Sequence, residues 1–236
     1  MEEPQREESQ REETLSSFWL HGGELRPIWK LSSYFTVFFM ATVPLYILSS
    51  PLLAAVDWRI SSPLIMLVAV VASTKFLLLV SRERGFFQAI ALRWSTHSGR
   101  DLAIGFTGAA LMMTLLFALE LLFGGARIST VHLTTAYVLE LLAVSLFSFT
   151  LVGFAEEILM RGYPFTVLHR QVGTAQALMI TSVLFSIMHG FNPDIGWMGF
   201  ANIFLAGLWL GVARLVTGTL WLAIGLHTGW NFFLGR

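Results

Sequence analysis

The chain has 236 residues, of which 55% are hydrophobic, 14% aromatic and 13% charged, with a mean hydropathy of +0.68. A water-soluble domain carries about a quarter charged residues, so this composition excludes a surface that faces water throughout. Lys plus Arg and Asp plus Glu balance at 15 each, which gives no reason to expect nucleic acid, and zero Cys excludes disulfides, thiolate metal sites and a cysteine nucleophile. What remains is an all-α, polytopic helical membrane protein.

Residues 1–28 read as a disordered, acidic tail. The first fourteen hold six Glu and two Arg and almost nothing apolar, too little to offset the entropy of ordering. This start is unlike the basic, then apolar, opening of a signal peptide. From Trp29 and Lys30 onward, residues 29–236 read as a single helical membrane domain. Apolar runs of about 20 residues, enough to cross about 30 Å of hydrocarbon, fall near 31–55, 60–80 and 102–123. A long fourth element starts near His132, and three more runs follow near 173–190, 196–214 and 218–235. That predicts seven transmembrane helices, or eight if the fourth is broken. The loop 81–101 holds Arg82, Arg84, Arg93 and Arg100, which assigns it and the N-terminus to the cytoplasm. The spacings Gly207/Gly211 and Gly225/Gly229 would let the last two helices approach closely, or they arise by chance among 20 glycines.

A charge at mid-membrane costs about 2.5–3.5 kcal/mol on insertion scales, so every intramembrane ionisable group is a site candidate. Lys75, Glu120 and His132 lie near span ends. Glu140 is deeper but alone, which fits a carboxyl packed against a neighbouring helix. The second half differs. Glu156 and Glu157 are adjacent, so on a helix they point about 100° apart. Arg161 follows Glu157 by four residues, the favoured order for a helical ion pair, which leaves Glu156 unpaired on another face. His189 follows Phe185 by four residues. His227 precedes Asn231 by four, so those two share a helical face. Counted from a turn near 172, Glu156 and His189 reach nearly the same depth in an antiparallel hairpin. His227 joins them only if the chain is kinked or irregular around Phe191–Trp197, which contains Asn192, Pro193 and Gly196.

A Glu beside a His can act as general base on water, and a His and an Asn can donate to a developing oxyanion. Glu156, His189 and His227 are equally the donor types of a catalytic zinc with one open position. Both arrangements fit peptide hydrolysis inside a membrane. The rival protease signatures His-Glu-x-x-His, Gly-x-Ser-x-Gly and a pair of intramembrane Asp are missing.

At these residues the chain resembles the CPBP (ABI) family, the type II CaaX-prenyl proteases and bacteriocin-processing membrane proteases. The family pattern is Glu-Glu-x-x-x-Arg, then Phe-x-x-x-His, then His-x-x-x-Asn or Asp. Here it reads Glu156-Glu157…Arg161, Phe185…His189 and His227…Asn231, with Thr217-Gly218-Thr219-Leu220-Trp221 alongside. The resemblance covers about 150–235, inside an expected catalytic core of about 131–236. It implies a membrane-embedded endopeptidase in which Glu156 and His189 activate water and His227 and Asn231 stabilise the oxyanion. Glu157 and Arg161 would hold the site.

The family has been described both as metalloproteases, with a divalent metal such as zinc, and as metal-independent glutamate proteases. The metal-independent route is preferred here, because Asn231 is a poor zinc ligand beside imidazole but a suitable oxyanion donor. The expected partners are a peptide or protein substrate, whether or not it is prenylated at its C-terminus, and the lipid bilayer, without nucleic acid. The membrane would be the plasma membrane of a prokaryote or the endoplasmic reticulum of a eukaryote. The alternative is a non-catalytic transporter or scaffold using the same polar residues. Inverted repeats with paired broken helices would favour it, and the sequence shows none.

Overall fold

The structure, a computed structural model, describes residues 18–21, 24–192 and 195–235. The acidic stretch 1–17, most of the expected tail, lies outside the described residues. A two-residue antiparallel hairpin, β1 (Leu20–His21) and β2 (Glu24–Leu25), leads into the first helix. The remainder is helical: α1 (Pro27–Leu53), α2 (Trp58–Val80), the short α3 (Phe86–Ala89), α4 (Ser98–Leu122) and α5 (Thr135–Glu157). A wide π-helical turn, Ile158–Gly162, joins α5 to α6 (Tyr163–Val172). Then come α7 (Thr174–Met188), a 3₁₀ turn at His189–Phe191, α8 (Trp197–Thr217) and α9 (Trp221–Leu234).

Each boundary has a local cause. Pro27 opens α1, where its missing N–H is no loss. The Asp57 carboxylate accepts the Arg59 backbone N–H and caps α2. The Arg59 guanidinium beside it holds the Asp57 carboxyl below the usual carboxylate range. Thr134 caps α5 by accepting from Tyr137 N–H. At the wide turn, Pro164 offers no N–H to the preceding turn and Gly162 has ψ −115°, far from helical, so the regular ladder cannot continue. Gly173 (φ +91°) and Gly218 (φ +67°) end α6 and α8 in conformations that only glycine adopts cheaply.

The seven predicted apolar segments are all helical, with ends within a few residues of those expected. Among the described residues, five helices are long and apolar enough to cross a membrane, counting 135–172 as one. The fourth element is thus interrupted by a wide turn without becoming two spans. Helices α7 and α9 are shorter, at 15 and 14 residues. Large apolar side chains such as Leu48, Leu52, Leu79, Leu111, Leu122 and Val216 stand exposed along the outer faces, as a lipid-facing surface requires. This is an integral, multi-pass helical membrane protein.

Packing follows small residues. Helix α9 lies between α4 and α5, while α8 packs on α7. A methyl on Gly225 would collide with the Leu102 carbonyl oxygen, and one on Gly105 with the Leu222 carbonyl oxygen. The glycine spacings therefore do permit close approach, but not between the last two helices. Gly225 and Gly229 face α4, and Gly207 faces Ser182 of α7. Glu140 also departs from expectation: it is exposed on α5, within electrostatic range of Arg59, and is not packed away against a helix. The buried core gathers around the wide turn, where Ile158, Leu159, Met160, Tyr163 and Phe165 meet Tyr34, Phe38, Val70 and Leu77.

The basic elements share one end of the bundle. Lys30 pairs with Glu83 at 3.2 Å, Leu220 N–H donates to the Ala91 carbonyl, and Trp221 Nε1 donates to the Arg93 carbonyl. The backbone contact at Gly225 gives a direct test. Gly225→Ala should force α4 and α9 apart and lower unfolding stability by about 1–3 kcal/mol, read as a drop in melting temperature in detergent. Gly99→Ala, where an added methyl meets nothing within 4 Å, should not.

Candidate active site

The end of α5 brings two carboxylates into opposite environments. Glu157 is fully buried, and so is Arg161 four residues on. Arg161 Nη1 donates to Glu157 Oε1 at 3.0 Å, Nη2 donates to the Gly207 carbonyl of α8 at 3.1 Å, and the guanidinium lies 4.1 Å from the centre of the Phe185 ring. The expected pair is therefore present, with two supports that the sequence did not announce. Gly207 suits its role because the absence of a side chain lets α8 approach α7 at Ser182.

Glu156 faces the other way, as the 100° offset requires. Its side chain is 19% exposed, and its Oε2 is buried with no hydrogen-bond partner. His189 Nε2 and His227 Nε2 each stand 3.6 Å from that same oxygen. This is too long for a direct hydrogen bond and suits one atom held between them. Both imidazoles are oriented through their second nitrogen. His189 Nδ1 is 2.8 Å from the Phe185 carbonyl, so the proton sits there and Nε2 is left open. His227 Nδ1 is 2.9 Å from Glu157 Oε1. His227 thus touches both carboxylates, a link that spacing alone did not reveal.

The backbone explains the convergence. His189 sits where α7 tightens into the 3₁₀ turn and Asn192 follows with extended backbone; Pro193 and Asp194, in the stretch where a kink was expected, lie outside the described residues. Phe185 packs edge-on against His189 (4.6 Å between centroids) and His227 (6.0 Å). Asn231, one turn beyond His227, is half-buried and lines the same cavity of about 240 Å³ as His189 and His227, together with Trp209 and Trp230. It makes no hydrogen bond to either glutamate among the described residues. A second cavity of about 230 Å³ is lined by Glu156, Met66, Met160 and, again, Phe185 and His189. The predicted site residues therefore come together around Phe185, with Glu156 on one side and Asn231 on the other.

The donor types suit a divalent cation. Two atoms bound to a tetrahedral zinc at about 2.1 Å stand about 3.4 Å apart, close to the 3.6 Å found here. Each His also has its other nitrogen bonded, as imidazole ligands do. Yet no group of three His, Asp or Glu among the described residues is arranged to hold an ion. The set fits a metal in kind and in the spacing of Glu156 from each histidine, without forming a three-donor group among the described residues.

Residues 138–233 match the family model described as type II CAAX prenyl endopeptidase, Rce1-like. The segment is similar to that family, which supports the resemblance to CPBP proteins read from the motifs. The match spans all three motifs and leaves the first four helices outside it. No curated protein is similar enough to the chain to count as a match. That similarity supports a membrane protease of the CaaX type in general terms.

The buried pair generates a prediction. Removing one partner of such a pair leaves an uncompensated charge, at about 3–5 kcal/mol. Arg161→Ala should therefore melt well below wild type in detergent. Arg161→Lys should also melt lower, because an ammonium cannot bridge Glu157 and the Gly207 carbonyl while lying flat on Phe185.

Proposed function

We propose that the chain is an intramembrane endopeptidase that hydrolyses a peptide bond in a membrane-associated or prenylated, CaaX-type peptide or protein. Its active site would lie within about 131–236 of a single domain, 29–236. One observation carries this reading: a buried carboxylate oxygen of Glu156 without a partner, faced by two imidazole nitrogens at equal distance. A water molecule in that position has three polar neighbours, within the number a buried water needs.

The chemistry follows from the atoms. Glu156 takes a proton from the water, and His189 Nε2 orients it, with His189 fixed by its bond to the Phe185 carbonyl. The water oxygen attacks the scissile carbonyl carbon. The resulting oxyanion is met by the amide of Asn231 and by His227 when His227 carries a proton on Nε2, both of which line the cavity. Glu156 then returns its proton to the leaving amine. Glu157 and Arg161 act by holding His227 and the end of α5. A divalent cation, when bound, would be held by Glu156, His189 and His227 and would supply Lewis-acid polarisation of the water or the carbonyl. The membrane is the plasma membrane in a prokaryote and the endoplasmic reticulum in a eukaryote.

Two measurements test this. Glu156→Gln should retain the wild-type melting temperature and lose cleavage of a farnesylated C-terminal peptide by at least about 10²-fold; cleavage at the wild-type rate would end the assignment. Purified protein treated with chelator should keep its activity. Stoichiometric zinc, with activity lost on removal and regained on return, would instead assign the water to a metal held by the same three side chains.

A further inference from the structure

Arg214, near the end of α8, is only 9% exposed, and among the described residues no carboxylate lies within ion-pair distance of it. A guanidinium taken out of water without an acid partner is costly unless its donors are used. Two of them are used. Nε donates to the Arg161 carbonyl at 2.7 Å, and Nη2 donates to Thr166 Oγ1 at 2.9 Å. Thr166 Oγ1 in turn donates to the Gly162 carbonyl at 2.9 Å. The guanidinium also lies 4.4 Å from the centre of the Phe165 ring. Both carbonyls belong to the wide turn, whose loosened ladder calls for partners from outside the helix. An interfacial anchor would extend its head into water. This one turns inward.

The same face of α8 holds Arg161 twice. Gly207 and Arg214 are seven residues apart, about two turns. The Gly207 carbonyl takes the Arg161 side chain, and the Arg214 side chain takes the Arg161 carbonyl. We propose that Arg214 is a positioning residue: by clamping the wide turn it fixes the rotational phase of α5, and so the directions of Glu156 and Glu157. The size of the effect follows from helix geometry. Losing the extra residue of a wide turn rotates what precedes it by up to about 100°, while a misplacement of about 1 Å can cost about 10²-fold in rate. The inference rests on the hydrolase reading above for its link to catalysis.

The test uses the full-length protein in detergent, comparing wild type with Arg214→Ala, Arg214→Lys and Thr166→Val. Each is also made in a Glu156→Gln background, where catalysis plays no part. Hydrogen exchange of peptides covering 156–168 reads the clamp. Cleavage of an internally quenched, farnesylated C-terminal peptide reads its consequence. Arg214→Ala should speed exchange within 158–166 in both backgrounds, leave α1 unchanged, and lower kcat by at least about tenfold with KM within about threefold. Arg214→Lys should recover part of kcat, since an ammonium can reach one of the two acceptors.

Thr166→Val, which removes half of the clamp, should show a smaller change in the same direction, and it decides the matter if Arg214→Ala does not fold. Unchanged exchange overturns the proposal whatever the activity. Faster exchange with wild-type kcat overturns the positioning role. If wild type cleaves nothing, the hydrolase reading is what fails. In that case faster exchange still upholds the clamp and unchanged exchange still removes it.

Discussion

A carboxylate and a guanidinium buried together beyond the reach of water set the conditions for everything around them. Glu157 and Arg161 are both fully buried, and charges in that position persist only when nearly every donor and acceptor is met. The surroundings meet most of them, and leave Glu157 Oε2 and Arg161 Nε without a partner. Helix α8 contributes a glycine carbonyl, α7 contributes the face of Phe185, and α9 contributes His227. Because three helices must converge on one pair, their depth and rotation are fixed together. His227 cannot serve Glu157 without also standing 3.6 Å from Glu156. The structural pair thus delivers an imidazole to the carboxylate that has no partner of its own.

Division of labour between adjacent residues is the second consequence. Glu156 and Glu157 are chemically identical and one peptide bond apart, yet one is fully buried against Arg161 and His227 while the other is part-exposed and turns an oxygen toward two imidazoles. The 100° step of the helix is enough to separate the roles. Phe185 completes the separation. Its ring covers Arg161 and touches both histidines, and it borders both cavities, so the sealed side and the open side share one wall.

Much of this was legible in the residues. Apolar runs located every long helix, because lipid demands continuous apolar length and that demand is visible one residue at a time; the short α3 fell in what reads as a loop. The Glu157–Arg161 pair followed from four-residue spacing, and the common depth of Glu156 and His189 from counting outward from a turn near 172. What escaped were contacts made by the main chain. The Gly207 carbonyl and the Arg161 carbonyl are acceptors that any residue possesses, so no side chain advertises them. Arg214 was legible only as a charge near a helix end. The partner of Gly225 was also hidden, since a small residue declares that something comes close but not which helix it is. His227 between two carboxylates was hidden, because residue counting fixed the depth of Glu156 and His189 but not that of His227.

The two helices that bring the histidines, α7 and α9, have 15 and 14 residues. At about 1.5 Å per residue they are some 22 and 21 Å long, against about 30 Å for ordinary hydrocarbon. A bilayer meeting so short a wall thins locally, at a modest cost for each ångström of mismatch. Of the two, α7 presents such a wall, through exposed Met179, Ile180, Val183 and Ile187, whereas α9 is enclosed by α4 and α5. A thin bilayer would match α7 at lower cost than a thick one, so the thickness of the host bilayer would act on the site from outside the protein.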